Sequence, residues 1–444
     1  MQNIELRTGV WYNDRSIRLS FPDTWDVVTY WPDTPLPLSD EQVAERINCP
    51  VGQPPLRELA KGKKRPVVVV DDLSRPTPIS RIMPFLLKEF EVAGIRAEDV
   101  RILVATGTHG HQDPTALASK IGQPAYRRCQ VIVHSDLRGT KYVGTTSFGT
   151  PVHVNAELHK ADLIIGVGGV YPQHTTGFGG GGKLMLGVLG RKSIRTLHFR
   201  HKGVGGTYNI DNDFRKDVTE IARMVGMNTI YTLHINDRSE VVSLFGGDHY
   251  SYYPQAAAFS KQRYTAPLPD DADVVIVNSY PSDVSYTFVR KAMKPIRCAP
   301  RDAMKIVIGS MHEGLGHHGL FQQGLSERIR EYTELYNRIS VMKPRIILQK
   351  IIKNLFFRRR PPAKPNTVSS ASAPAHPMWL YRPEGATEPI QTLEGVRVAQ
   401  SWEAVLNAIK DRFPTQSTVR VRIYTCGSLQ CLDAPEGQDQ GSGD

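Results

Sequence analysis

At 444 residues, with 40% hydrophobic and 22% charged, the chain has room for two or three globular domains. A formal charge of +11 invites a nucleic-acid reading. However, the segment 343–364 holds eight Lys or Arg residues and no acid, which leaves +3 for the rest, so no nucleic-acid partner is expected. Met1 to Tyr12 has no apolar core of signal-peptide length, no apolar run is long enough for a transmembrane segment, and five scattered cysteines suit a reducing, cytoplasmic setting.

In chain order, a β-branched run at 66–70 predicts a buried strand, and 79–93 the helix after it. Strands are expected at 101–106, 130–135 and 161–170. The segment 213–226 predicts a helix with Phe214, Val218, Ile221, Ala222 and Val225 on one face and Gly226 as its stop. A strand at 228–236 and a helix at 253–263 follow. The Pro- and Asp-rich stretch 264–271 then interrupts the pattern. Beyond it come a strand at 273–279, a helix reaching about Met293, a strand at 305–309, helices at 326–339 and 401–413, and a closing strand at 419–425. The alternation predicts an α/β protein: two α/β domains with largely parallel sheets, divided near residue 267 into 1–266 and 267–444, with the active site in the cleft between them. Within the second domain, 343–357 reads as a basic amphipathic helix running into a Pro/Ser-rich linker, a basic insert spanning about 343–377. Through 343–360 it could touch an anionic surface, or it could simply be a packed helix with a solvated basic face.

Three strand-to-helix loops carry residues capable of chemistry. Asp71, Asp72 and Arg75 lie in 71–78, directly after the first strand, where open α/β sheets bind ligands. Arg75 could pair with a carboxylate or phosphate, and the prolines would stiffen the loop; a capped turn with a surface ion pair is the plainer reading. Thr106, Gly107, Thr108 and His109 end the next strand, where Gly107 allows close backbone approach and His109 could move a proton near neutral pH. The richest segment is 171–183, with His174, then Gly179, Gly180, Gly181 and Gly182, then Lys183. Gly177 to Lys183 fits the glycine-lysine half of a phosphate-binding P-loop, but Leu184 stands where a hydroxyl must meet magnesium, which disfavours an NTPase. A glycine loop that could cradle an anion, with an amine at its end, survives. His198 and His201 follow one turn apart on a predicted helix, and could bind a metal or be solvated.

Together, 71–78, 106–109, 174–183 and the downstream histidine resemble the lactate racemase family of nickel-pincer enzymes. The resemblance implies that Lys183 joins covalently to a nickel-pincer nucleotide, a nicotinate-derived mononucleotide whose two sulfur-containing arms hold nickel. It implies that His198 completes the nickel coordination and that His109 and His174 are the acid/base pair on opposite faces of the substrate. Asp72 and Arg75 would line the cofactor and substrate site, and the loops 106–108 and 179–182 would sit near the nucleotide phosphate. Residues 281–283 with Lys291 look like the segment presenting a substrate-binding lysine. The implied reaction is racemisation or epimerisation of a small 2-hydroxy acid. Passing the Cα hydrogen as hydride to an electrophilic carbon gives a planar keto acid that can take it back on either face. Each direction needs a base for the hydroxyl proton, and soft sulfur donors plus an imidazole suit nickel. Cofactor-biosynthesis proteins would be partners for loading.

The sequence departs from that family in three places. The stretch between Lys183 and His198 is one residue shorter, which leaves His201 as an alternative metal ligand. Phe288 stands where lactate-specific members carry glutamine, hinting at a bulkier or more apolar substrate side chain. Trp379 is a loose match to a site tryptophan, and 311–319, with His312, His317 and His318, could face the site or form a surface turn. The competing function is a non-catalytic protein whose glycine loop holds a nucleotide or sugar phosphate.

Overall fold

Residues 1–201, 208–320, 377–383, 395–414 and 418–433 are described by a computed structural model, and two six-stranded sheets organise them. The first sheet runs in the order Val241–Gly247, Thr229–Ile235, Leu163–Gly169, Pro66–Asp71, Arg101–Ala105, Gln130–Val133. All its pairings are parallel except that of the edge strand Val241–Gly247. Its central strands are buried on both faces, which is why they read as continuous apolar runs. Val68 and Val70 pack with Met83, Leu86, Phe90, Leu117 and Ile121 on one side, while Val67 and Val69 pack with Phe214, Val218, Ile221 and Ala256 on the other.

Strand order sets the location of the site. From Pro66–Asp71 the chain proceeds outward through Arg101–Ala105 to Gln130–Val133, then returns to Leu163–Gly169 and proceeds outward the other way. The loops leaving Pro66–Asp71 and Leu163–Gly169 therefore diverge around a crevice at the carboxyl edge of the sheet, the place where such sheets take ligands.

The second sheet is wholly parallel, in the order Val396–Ala399, Met378–Tyr381, Met304–Ile308, Val274–Asn278, Arg420–Tyr424, Asp26–Tyr30. One face packs on the N-terminal hairpin (Gln2–Thr8 with Arg15–Phe21) and on the helix Trp402–Arg412; the other packs on Val289, Ala292 and Ile296. The α/β class with largely parallel sheets is thus as expected. Sheet membership does not follow a single cut at residue 267, because Asp26–Tyr30, far upstream, forms an edge of the second sheet.

Local differences have local causes. The helix expected over 79–93 is a single turn, Ile79–Arg81, followed by Met83–Val92, because Pro84 can occupy only the first turn of a helix. The helix expected up to Met293 is split into Tyr286–Val289, Arg290–Ala292 and Lys294–Cys298, again with a proline (Pro295) in the last first turn. By contrast, Asp213–Val225 forms as read: Asn212 caps it by accepting from the Arg215 amide at 2.8 Å, and Gly226 ends it at φ 78°. The helix expected at 326–339 and the basic stretch from Lys343 to residue 376 lie outside the described residues. Among the described residues, no helix is long and apolar enough to cross a membrane.

Candidate active site

The loop after Pro66–Asp71 is held from beneath. The Lys120 amine, fully buried, pairs with Asp71 at 2.8 Å and donates to the carbonyls of Arg75 (2.7 Å) and Thr77 (3.0 Å). Asp71 also accepts from the Thr77 hydroxyl and, at 3.1 Å, from the Gly169 amide, which ties the two diverging loops together. Trp11 closes the arrangement, its indole N–H donating to the Leu73 carbonyl and its ring 4.8 Å from the Lys120 amine. Asp72 and Arg75 are therefore presented by a fixed backbone rather than a mobile turn, and the surface ion-pair reading falls away.

Asp72 is buried and accepts from Nδ1 of His109 at 2.6 Å and from the Ser74 hydroxyl at 2.7 Å. Burial opposes its charge, but the His109 imidazole, Arg75 and Ser74 outweigh that penalty and hold its carboxyl at about 2. A carboxylate so held fixes the imidazole with its proton on Nδ1, leaving the lone pair on Nε2. The Arg75 guanidinium donates from one terminal nitrogen to the carbonyl and hydroxyl of Ser74, a geometry in which its other donors could meet an anion. Thr106 and Thr108 are occupied otherwise. The Thr106 hydroxyl donates to the His134 carbonyl at 2.8 Å, and the Thr108 carbonyl accepts from the Gly319 amide at 2.7 Å. Gly107, at φ 57°, lets its amide reach the Gly187 carbonyl at 2.8 Å.

After Leu163–Gly169 the chain forms a small hairpin, Pro172–Gln173 with Gly177–Phe178, whose turn exposes His174. The Gln173 side-chain oxygen accepts from the amides of Thr175 (3.0 Å) and Thr176 (2.9 Å), so the turn carrying His174 is braced internally. The glycine run enters the 3-10 helix Gly181–Val188, and close packing accounts for two of its members. A Cβ on Gly181 would stand 2.7 Å from the Tyr253 ring, and one on Gly182 would stand 3.0 Å from Thr219 Cα. The Gly179 amide is already donated to the Tyr171 carbonyl at 2.7 Å. The Lys183 amine, pushed down to about 7 by burial and by the charges of Arg75 and Arg215, is largely unprotonated at mildly alkaline pH, the form in which an amine is a nucleophile.

The helix Arg191–Arg200 brings His198 to the same place. Its Nδ1 donates to the Ile194 carbonyl at 2.9 Å, which leaves the lone pair on Nε2. Burial lowers it to about 4, with Lys183, His174 and His109 adding positive charge nearby. Lys183, His174 and His109 are thus within electrostatic reach of one neutral imidazole. His201 turns elsewhere, its Nε2 lying 2.7 Å from buried Asp217.

The second half of the chain contributes the opposite wall. Phe288, buried, sets its ring edge against His109 with centroids 4.9 Å apart, and the exposed Lys291 holds its amine 4.6 Å from the same phenyl ring. A strap around 310–320 crosses to the first sheet, where Gly319 bonds to Thr108, Leu320 enters the core, and His318 lies 5.2 Å from the His109 ring. Burial, together with His109, His198 and Arg75, holds His318 well below the usual imidazole range. Of the two readings for 311–319, the structure supports the one facing the site. Asp283 does not face it. It is fully buried and accepts from Thr8, Gly9, Val10 and Ser310, anchoring the N-terminal turn. Trp379 lies on the second sheet beneath Arg397, at 5.7 Å, rather than with these groups. Arg215, Asp217, Lys120 and Tyr253 had no signal in the sequence beyond their place in helical patterns.

Residues 12–205, which include His109, His174, Lys183 and His198, match the lactate racemase N-terminal domain. Lactate racemase of Lactiplantibacillus plantarum is 26% identical over 294 residues, 64% of this chain and 69% of that protein. Lactate racemase of Thermoanaerobacterium thermosaccharolyticum is 26% identical over 296 residues, with the same shares. The structure of the lactate racemase apoprotein from the latter organism has the same fold, with a TM-score of 0.70 at 19% identity over 98% of this chain and 100% of that one. Domain, relatives and fold define an isomerase of the racemase class. Residues 12–205 thus carry a lactate racemase N-terminal domain, and the chain is similar to lactate racemases in sequence and fold.

Proposed function

We propose that this isomerase inverts the hydroxyl-bearing carbon of a small 2-hydroxy acid, of the kind the relatives' name implies, using a nickel-pincer nucleotide joined to Lys183. The observation that carries the reading is the gathering of one buried amine, lowered to about 7, and three imidazoles, from four separate loops and helices, at the switch point of one sheet. The residues fit the group. The Lys183 amine is suited to covalent attachment, and His198 is neutral with its lone pair fixed on Nε2, as a metal ligand requires. Among the described residues, no set of three or more His, Cys, Asp or Glu side chains could hold a metal, so the remaining donors would come with the cofactor itself. When bound, the group supplies an electrophilic carbon that takes and returns hydride.

The chain's own residues do the rest. His109 receives the hydroxyl proton at Nε2, and Asp72 stabilises the imidazolium that results. His174, from the braced hairpin, serves the other face. Arg75 and Lys291 anchor the carboxylate while the planar keto acid reorients. Phe288 and the strap bearing His318 keep water from His109. Proteins that build and load the cofactor are required partners.

The test is intact mass and nickel content of protein from a cofactor-competent host, with chiral analysis of a hydroxy-acid panel. The expected result is a mass adduct on Lys183, absent in Lys183→Ala, nickel in the wild type, and racemisation of at least one acid. Loaded protein with neither adduct nor nickel would overturn the proposal.

A further inference from the structure

Lys183 and His198 lie on different elements, yet any group they hold together requires a fixed separation between them. One helix, Asp213–Val225, reaches both through buried charges two residues apart. Arg215 donates to the carbonyls of Gly180 (2.9 Å), Thr176 (3.2 Å) and Phe178 and to the Tyr253 hydroxyl (2.6 Å), and its guanidinium stacks over the Tyr253 ring at 4.2 Å. The carbonyls it holds belong to the glycine loop that ends in Lys183. Asp217 accepts from His201 at 2.7 Å and from the Thr150 hydroxyl at 2.5 Å. His201 caps the end of Arg191–Arg200, the helix that carries His198, and its ring packs between Phe148 and Phe214.

We infer that Arg215 and Asp217 are positioning residues that set the distance between Lys183 and His198: Arg215 seats the lysine loop, and Asp217, acting through His201, seats the histidine helix. His201 on this account is a strut rather than a metal ligand, which settles what the shortened spacing left open. Both contacts are charge-assisted and buried, where such bonds are strongest and least forgiving of a lost partner. The helix itself is capped at both ends and packed along one face, so it can serve as a rigid reference. The inference rests on the proposed function only for what Lys183 and His198 would hold.

Amide hydrogen exchange on unloaded protein tests the struts without the cofactor. Asp217→Asn and, should it fold poorly, His201→Gln are expected to speed exchange in 191–200 by about tenfold while leaving 181–188 within about twofold; Arg215→Met should do the reverse. After loading, Asp217→Asn should keep the Lys183 mass adduct but retain less than half the wild-type metal, whereas Arg215→Met should lose the adduct in parallel with the metal. A structural role of the ordinary kind would speed both segments together in every variant, and that result, or no change in either segment, sinks the inference. A wild type that takes up neither adduct nor metal would refute the proposed function instead, with the exchange pattern still deciding the struts.

Discussion

Asp72 gives one carboxylate two measurable consequences. Its pairing with His109 fixes the imidazole for proton transfer, so Asp72→Asn should lower kcat by about 10²–10⁴ with a much smaller change in KM. The same pairing stabilises the fold. The carboxyl titrates at about 2 in the folded chain and near the ordinary ~3.9 unfolded, so its contribution is complete above about pH 4 and is lost as pH falls through 2. The difference is on the order of 2 kcal/mol, read from urea denaturation of wild type and Asp72→Asn at pH 7 and at about pH 2.5. Which residues were legible at this scale follows from chemistry. Lys183, His174 and His109 announced themselves because glycine runs and strand-end imidazoles are unusual company. Arg215 and Lys120 did not, because a cation in an amphipathic helix ordinarily marks the wet face. What reverses the expectation is a set of inward-facing carbonyls supplied by segments 35 to 45 residues away, which local pattern does not contain.

Elements with their own caps and period were readable from the chain: Asp213–Val225 carries its N-cap, its apolar stripe and its terminal glycine within 15 residues. The hairpin Thr140–Thr145 with Pro151–Asn155 was not foreseen, because its burial alternates weakly and its pairing depends on packing against the helix Arg191–Arg200. The glycine loop looked like an anion cradle, and its packing adds a second requirement. Gly181→Ala would place a Cβ 2.7 Å from the Tyr253 ring at φ 58°, so a loss of roughly 1–3 kcal/mol is expected by thermal melting, with Tyr253→Ala partly relieving it. The strand Thr229–Ile235 carries another buried group with a clear signature. His234 donates from Nε2 to the Ala256 carbonyl at 2.9 Å and sits among Phe245, Phe259 and Tyr264, and burial pushes it down to about 3. The unfolded chain takes up a proton near pH 6.5 and the folded one does not. Stability should therefore decline from about pH 6.5 toward 3, and His234→Phe should flatten that limb in pH-dependent denaturation.

At the scale of the molecule, the α/β class with largely parallel sheets was visible in the alternation, whereas the place of Asp26–Tyr30 at the edge of the second sheet was not. The N-terminal turn is pinned by Asp283 from below, and Tyr12 donates to Glu313 at 2.6 Å while Trp11 reaches the Asp72 loop. Asp283→Ala strands several buried donors at once. It should cost roughly 3 kcal/mol or more in chemical denaturation and release residues 8–12 to exchange before the first sheet opens. The strand Asp26–Tyr30, wedged beside Arg420–Tyr424, carries a further consequence for how the molecule is made. A ribosome releases the early strand long before its neighbour exists, so that edge must wait, unpaired, through the synthesis of nearly four hundred residues. Cutting the gene at the apparent seam would give a downstream fragment with an open edge and an upstream fragment with an orphaned strand. A circular permutant that starts near residue 264 and carries the first thirty residues after the last strand is the design that would let the second half mature by itself.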